Sequence, residues 1–486
     1  MTPELTPVLD PGFLPAASWN RAYRTKVRES GGDPLIIALE RGQGAVSVYE
    51  TRILPHVGEF IKLNNLYVER ALKFLLWQKG GHRITIAGNP RVADHLRGVY
   101  SPAGARAFDY EFMGERVYKA PFVIESAPLE DAPQCSEKAV PLGRHCDGCR
   151  IGFDLGGSDR KSAAMIDGSI VFSEEVAWDP YYQTDPSYHF DGIDDSLRRA
   201  AAHLPRVDAI GGSAAGVYID SEPRVASIFR GLTAEQFESG ARPIFHRLRE
   251  RWNNVPFLVV NDGEVAALGA SMALGDNAVL GISMGTSQAA GYVTPEGFIT
   301  DWLDELAFAP IDYREDAPRD EWSGDIGVGA QYFSQQAVAR LLPAAGIDVP
   351  SDMPFAERLS RTQQLMSGGD ERAHRVFETI GSYLGYAVAH YADFYELRHV
   401  FVMGRVTSGE AGDVILREAR RVLEAFPEHA GIRLHLASEQ DKRHGQAAAA
   451  ATLPVLEFTD RCDARNQSAR SGRSGDRCER AEGKLR

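Results

Sequence analysis

The sequence predicts an α/β fold in which a parallel or mixed sheet is covered by helices on both faces. Short runs rich in β-branched and apolar residues recur along the chain, most of them ended or interrupted by glycine: IGFDLGG (151–157), SIVFSEEV (169–176), VDAIGGSAAG (207–216), PFLVVND (256–262), AVLGISMGTS (278–287), GYV (291–293) and HVFVMG (399–404). Long stretches of helical character separate them, and strands that alternate with helices are joined by crossovers that cover the sheet. A composition of 44% hydrophobic and 25% charged residues over 486 positions is that of a globular chain and excludes disorder, collagen and coiled coil for the whole. The length corresponds to about three domain-sized units.

The N-terminal 149 residues read as a block of their own. Leu63, Leu66, Tyr67, Ala71, Phe74 and Leu75 recur at helical spacing, Gly80-Gly81 stops that helix, and Arg83–Ala87 (RITIA) reads as a strand, so this block too is α/β. Residues 126–150 are rich in Pro, Cys and charge without apolar period, which predicts a linker. The block is expected to fold alone and to contribute no catalytic group, so a chain starting near Arg150 is expected to stay soluble and bind nucleotide. Within the linker, Cys146 and Cys149 form a Cys-x2-Cys pair beside His145, with Cys135 upstream. A structural zinc site needs four ligands, so spare thiols and a metal site are both compatible with the sequence. Residues 459–486 hold almost nothing apolar and are rich in arginine, which predicts a disordered basic tail.

Lys+Arg 53 against Asp+Glu 67 leaves a net charge of −14. An acidic surface repels phosphate backbones and anionic lipid, so neither nucleic acid nor membrane is an expected partner, while homo-oligomer formation is left open. The first twenty residues, MTPELTPVLDPGFLPAASWN, lack the positive start and apolar stretch of a signal peptide, and no run of about 18 apolar residues follows. Five cysteines, an odd number, fit a reducing compartment, and a cytoplasmic location is expected.

The chemistry-bearing stretches sit at strand ends. Asp154-Leu155-Gly156-Gly157-Ser158 closes a strand with a carboxylate and turns tightly on two glycines, whose amides can approach phosphate oxygens because no Cβ stands in the way, with Asp154 facing the metal. Asn261-Asp262 ends an apolar strand just before a small-residue helix, where a carboxylate suits a general base, the bland alternative being a helix cap. Glu264, at the start of that helix, suits the helix dipole. Gly285-Thr286-Ser287 repeats the strand-then-turn pattern with hydroxyls and amides for a second phosphate edge, and Gly404 to Gly409 forms a glycine turn open enough for an adenosine ring. Residues 445–452 (GQAAAAAT) make a helix that can pack closely. Trp178, Tyr181, Tyr182, Tyr188 and Phe190 follow the first hairpin, as buried packing in preference to an exposed sugar floor.

This ordered set, over about residues 150–456, resembles the sugar kinase, Hsp70 and actin superfamily and, within it, the ROK family of sugar kinases and sugar-responsive repressors. The resemblance implies a two-lobed actin-like (ribonuclease H-like) ATPase fold with an additional N-terminal α/β domain: a first lobe over 150–260 completed by 441–458, and a second over 261–440. It implies that Asp154, Gly156, Gly157, Ser158 and Lys161 form the first phosphate loop, Gly285, Thr286 and Ser287 the second, and Gly404 with Gly409 the adenosine turn. Asn261, Asp262 and Glu305 would contact the substrate, with Asp262 as base, and ATP would arrive with Mg²⁺ held near Asp154 through water. The implied activity is transfer of the ATP γ-phosphate to a sugar hydroxyl. Its rivals are a ROK-like sugar sensor without turnover and an ATPase of the same superfamily that drives a partner. The sequence departs from the family at Glu305-Leu306-Ala307-Phe308, where a histidine is usual, at 320–329, which holds no cysteine so that zinc is not expected, and at Gly404-Arg405, where paired glycines are common.

Overall fold

A computed structural model describes residues 5–137, 142–437 and 445–456. The predicted basic tail and the ends of the predicted 441–458 segment lie outside the described residues. Strands β1 (Asp33–Glu40), β2 (Val46–Ile53), β3 (Arg83–Ala87) and β4 (Val123–Ala127) form one sheet in the order β2-β1-β3-β4. The helix expected between them runs Phe60–Lys79 and stops at Gly80, whose φ of +83° is one that glycine adopts without strain.

A five-stranded sheet follows, built from β5 (Cys149–Leu155), β6 (Asp159–Ile166), β7 (Ser169–Ala177), β8 (Ala209–Ala214) and, after the small hairpin of β9 (Val217–Ile219) and β10 (Glu222–Val225), β11 (Phe257–Asn261). Its order is β11-β8-β5-β6-β7, with β6 antiparallel to both neighbours and β5, β8 and β11 parallel. A four-stranded sheet of β12 (Val279–Met284), β13 (Gln288–Val293), β14 (His399–Met403) and β15 (Arg433–Leu436) has the order β13-β12-β14-β15, again an antiparallel hairpin followed on its other side by two parallel strands. The same plan used twice is the two-lobed, actin-like arrangement, and its central strand β5 is buried along its whole length, as a strand covered on both faces must be.

The helix Gly445–Ala451 closes against the first of these sheets. A Cβ on Gly152 would lie 1.8 Å from the Ala447 carbonyl oxygen, and one on Gly211 would lie 1.8 Å from that of Ala450. Glycine in the sheet and alanine in the helix therefore let two backbones meet.

The N-terminal block does not stand apart as its composition suggests. Phe13, Tyr23, Phe74 and Trp77 share one hydrophobic core with Tyr332, Tyr383, Tyr391 and Val402 of the second lobe. The Phe13 ring centroid lies 4.8 Å from that of Tyr383 with the planes tilted by 57°, and the Leu5 amide donates to the Tyr386 hydroxyl at 2.8 Å. The physical reason is that the apolar stripe of Phe60–Lys79 is too wide for its own four-stranded sheet to cover, so it is completed by the helix Glu371–Tyr391 and its continuation, with Phe74 4.0 Å from Phe394. The expected linker is also tied down: Ser136 pairs with Val46, Leu142 bridges to Ile299, and Arg144 donates to Ser271 and Asn277. Among the described residues, no helix is long and apolar enough to cross a membrane.

Candidate functional site

Parallel register sets the site. Asp154 of β5 lies opposite Ser213 of β8, and Ala214 lies opposite both Leu155 and Asn261, so Asp154, Ser213 and Asn261 end together at the carboxyl edge of the sheet. This is the edge at which open α/β sheets bind ligands. The helix that leaves it runs Asp262–Leu274, and its cap is Asn261, whose Oδ1 accepts from the Gly263 amide at 2.7 Å. The capping role therefore falls to Asn261 and not to Asp262.

Hydrogen bonds tie these ends together. Ser213 Oγ donates to Asp154 Oδ1 at 2.7 Å, and Gln446 Nε2 donates both to Ser213 Oγ at 3.1 Å and to the Asp262 carbonyl at 3.0 Å. Asn261 Nδ2 donates to the Gly216 carbonyl at 2.7 Å and reaches Glu305 Oε1 at 3.5 Å. The sequence alone does not single out Ser213 or Gln446. The available signals were a serine after the Gly211-Gly212 pair at a strand end, and the one polar side chain in an otherwise small-residue helix.

The crevice is rich in carboxylates. Burial, with the charge of Asp154, pushes Asp262 up to about 6. Burial, then Asp262 and Asp304, raises Glu305 to about 8, and burial alone accounts for most of the rise of Asp304 to about 7. Glu264 is held well above its ordinary range by burial and then by Asp304, Asp301 and Glu305. Asp154 is raised by burial, against the hydrogen bond from Ser213 and the charge of Lys161, whose Nζ is 3.7 Å from Asp154 Oδ2 and 3.0 Å from Asp159 Oδ1. Asp262, Asp304 and Glu305, raised to between about 6 and 8, exchange protons near neutrality, which is what acid–base chemistry requires.

The loops fall around this group. In the first, the Gly156 amide donates to the Asp159 carbonyl at 2.9 Å, and Trp178 Nε1 donates to the Gly156 carbonyl at 2.9 Å. A Cβ on Gly157 would lie 2.0 Å from the Tyr181 hydroxyl. Trp178 and Tyr181 thus buttress the turn, while Tyr182 of the same aromatic run is exposed. In the second loop Gly285 closes the β12–β13 hairpin by donating to Ser287, with Thr286 and Ser287 exposed at its tip. Gly404 has φ +102°, and a Cβ there would lie 2.4 Å from the Met284 carbonyl oxygen, so glycine at this position lets β14 turn against the end of β12. Gly409, at φ +65°, precedes the helix Glu410–Leu423.

A cavity of about 640 Å³ is lined by Phe401, Met403, Gly404, Arg405, Ser408 and Gln446, among others. Gln446 therefore borders this mostly apolar cavity and also bonds Ser213, the partner of Asp154, and the backbone carbonyl of Asp262. Structure brings together Asp154, Asn261, Asp262 and Glu305, and places Gly404 on the cavity. Cys135 is exposed and Cys149 is buried within β5. Among the described residues, no three or more His, Cys, Asp or Glu side chains are grouped to hold a metal ion.

No protein-family model and no curated protein matches the chain. Solved structures do. A ROK hexokinase from Thermus thermophilus aligns at 19% identity over 63% of this chain and 97% of the other, with a TM-score of 0.49. A ROK family glucokinase from Streptomyces griseus in complex with glucose and AMPPNP aligns at 21% identity over 63% and 98%, with a TM-score of 0.45. A ROK family transcriptional regulator, a homologue of the E. coli MLC protein, aligns at 16% identity over 63% and 77%, with a TM-score of 0.49. Kinases and a regulator stand side by side among these, and likeness at such identities does not extend to activity.

Proposed function

We propose that this protein is an ATP-dependent sugar kinase of the ROK kind, acting through Asp262. The observation that carries the proposal is the position of Asp262: first residue of a helix at the carboxyl edge of the sheet, relieved of capping by Asn261, raised to about 6, and linked through Gln446 and Ser213 to Asp154. In this reading the apolar cavity beside Gly404 takes the adenosine and the amides of residues 156–158 and 285–287 hold the phosphates. Asn261 and Glu305 orient the sugar. The sugar hydroxyl oxygen attacks the γ-phosphorus, the bond to the β,γ-bridging oxygen breaks, ADP leaves, and Asp262 takes the hydroxyl proton.

Mg²⁺ carried in with the nucleotide would be held near Asp154 through water, where its charge would offset the mutual repulsion of the Asp154 and Asp262 carboxylates. When bound, the ion supplies neutralisation of the phosphate charge.

An ATP-consumption screen over hexoses, N-acetylated amino sugars and polyols tests the reading, with Asp262→Asn as the inactive control. Calorimetric titration with Mg·ATP should give a saturable heat. A flat titration with and without sugars overturns the nucleotide reading. One observation favours a second reading, a sugar-responsive regulator without turnover: Leu306, Ala307 and Phe308, which follow Glu305, are buried and offer no imidazole to the crevice. Sugar binding without ATP consumption would select it.

A further inference from the structure

The end of the helix Phe60–Lys79 meets the residue proposed to orient the sugar. The last carbonyls of a helix have no partner within it. Here the Gln78 carbonyl accepts from the Asp304 amide at 2.9 Å, and the Trp77 carbonyl accepts from the Glu305 amide at 2.9 Å. Trp77 grips the same segment a second time, since its ring centroid is 4.5 Å from that of Phe308, whose amide donates to the Glu305 carbonyl at 3.1 Å.

Trp77 is in turn held from within its own block. It is fully buried, and its Nε1 donates to Asp109 Oδ1 at 2.8 Å. One helical turn earlier, Lys73 donates to Asp109 at 2.8 Å and to Asp325 at 2.5 Å, and Arg106 donates to the other oxygen of Asp325 at 2.5 Å. All four charged groups are buried, and breaking one partner from such a group leaves an uncompensated charge, so the arrangement is stiff. Asp325 belongs to the second lobe, so the N-terminal block meets that lobe at two places, at Asp304-Glu305 through the end of the helix and at Asp325 through Lys73 and Arg106.

We propose that the N-terminal block is a positioning element of the substrate site, with Trp77 as the positioning residue that sets the placement of Glu305 and, through it, the affinity for sugar. This rests on the kinase reading for the identity of the ligand and on geometry alone for the placement of Glu305. It gives residues 1–149 a part in the site that their separation in sequence conceals.

Trp77→Phe keeps a ring against Phe308 and removes the bond to Asp109. Tyr23→Phe serves as a control, because it removes a buried bond of the same block, to Asn64 at 2.5 Å, away from the helix end. Amide exchange read by mass spectrometry should rise about tenfold in the peptide spanning 303–308 for Trp77→Phe and stay at the wild-type rate there for Tyr23→Phe. The KM for sugar should rise about tenfold in Trp77→Phe, with kcat and the KM for Mg·ATP within about twofold, as expected when one orienting group is displaced. Unchanged exchange at 303–308, equal effects of the two substitutions, or faster exchange with an unaltered sugar KM each overturns the proposal. If the wild type phosphorylates no sugar, the kinase reading falls on its own, and the exchange comparison alone decides the placement of Glu305.

Discussion

At the scale of the residue, Asp262 and Asn261 divide between them two jobs that the sequence leaves on one. Because the cap is Asn261, Asp262→Asn should leave the melting temperature nearly unchanged and lower phosphoryl transfer by about 10²–10⁴-fold, the range for losing a general base. Asn261→Ala should instead cost about 1 kcal/mol of stability, seen as a lower Tm. With Asp262 at about 6, kcat/KM should fall as pH drops below about 6, and a rate profile of wild type checks this limb. Glu305 gives the opposite sign in stability. Its carboxyl is raised from 4.5 to about 8 on folding, so the folded state holds a proton that the unfolded state releases, and the stability this contributes is lost as pH rises through about 8. Thermal melts of Glu305→Gln should therefore lose less stability than wild type between about pH 5 and 9.

At the scale of the element, the short helix Gly445–Ala451 is the joint on which the site depends. Its small residues are legible in the sequence as a close-packing helix, yet the glycines that receive it, Gly152 and Gly211, lie in strands far upstream and carry no mark of it. Gly211→Ala should push the helix off the sheet at a cost of about 1–3 kcal/mol and carry Gln446 away from Ser213 and Asp262. The expected outcome is a lower Tm together with a weaker stabilising shift on adding Mg·ATP, both read from thermal melts. A substitution that lowers Tm but leaves the Mg·ATP shift intact would show that Gln446 does not couple the helix to nucleotide.

At the scale of the whole molecule, the N-terminal block and the second lobe are one folding problem. A chain starting near Arg150 leaves Tyr332, Tyr383 and Tyr386 without Phe13, and Phe394 without Phe74. Such a surface is an aggregation hazard, so the truncated chain should elute as aggregate where the full chain is monodisperse in size-exclusion chromatography. The sequence by itself determined the strands β3, β5, β7, β8 and β11 to β14, the helix Phe60–Lys79 with its glycine stop, and the strand-end placement of Asp154, Asp262 and the glycine turns, because alternation, apolar period and turn residues are local properties. Only the tertiary structure decided that Asn261 caps in place of Asp262, that Ser213 and Gln446 join two strand ends, and that Trp77 reaches Glu305. The cap is a choice between adjacent residues that the backbone at the strand end settles, whereas the other contacts link residues up to about 230 positions apart, and which of many apolar or small side chains meet across such distances is set by sheet order and shared burial, which no local pattern encodes.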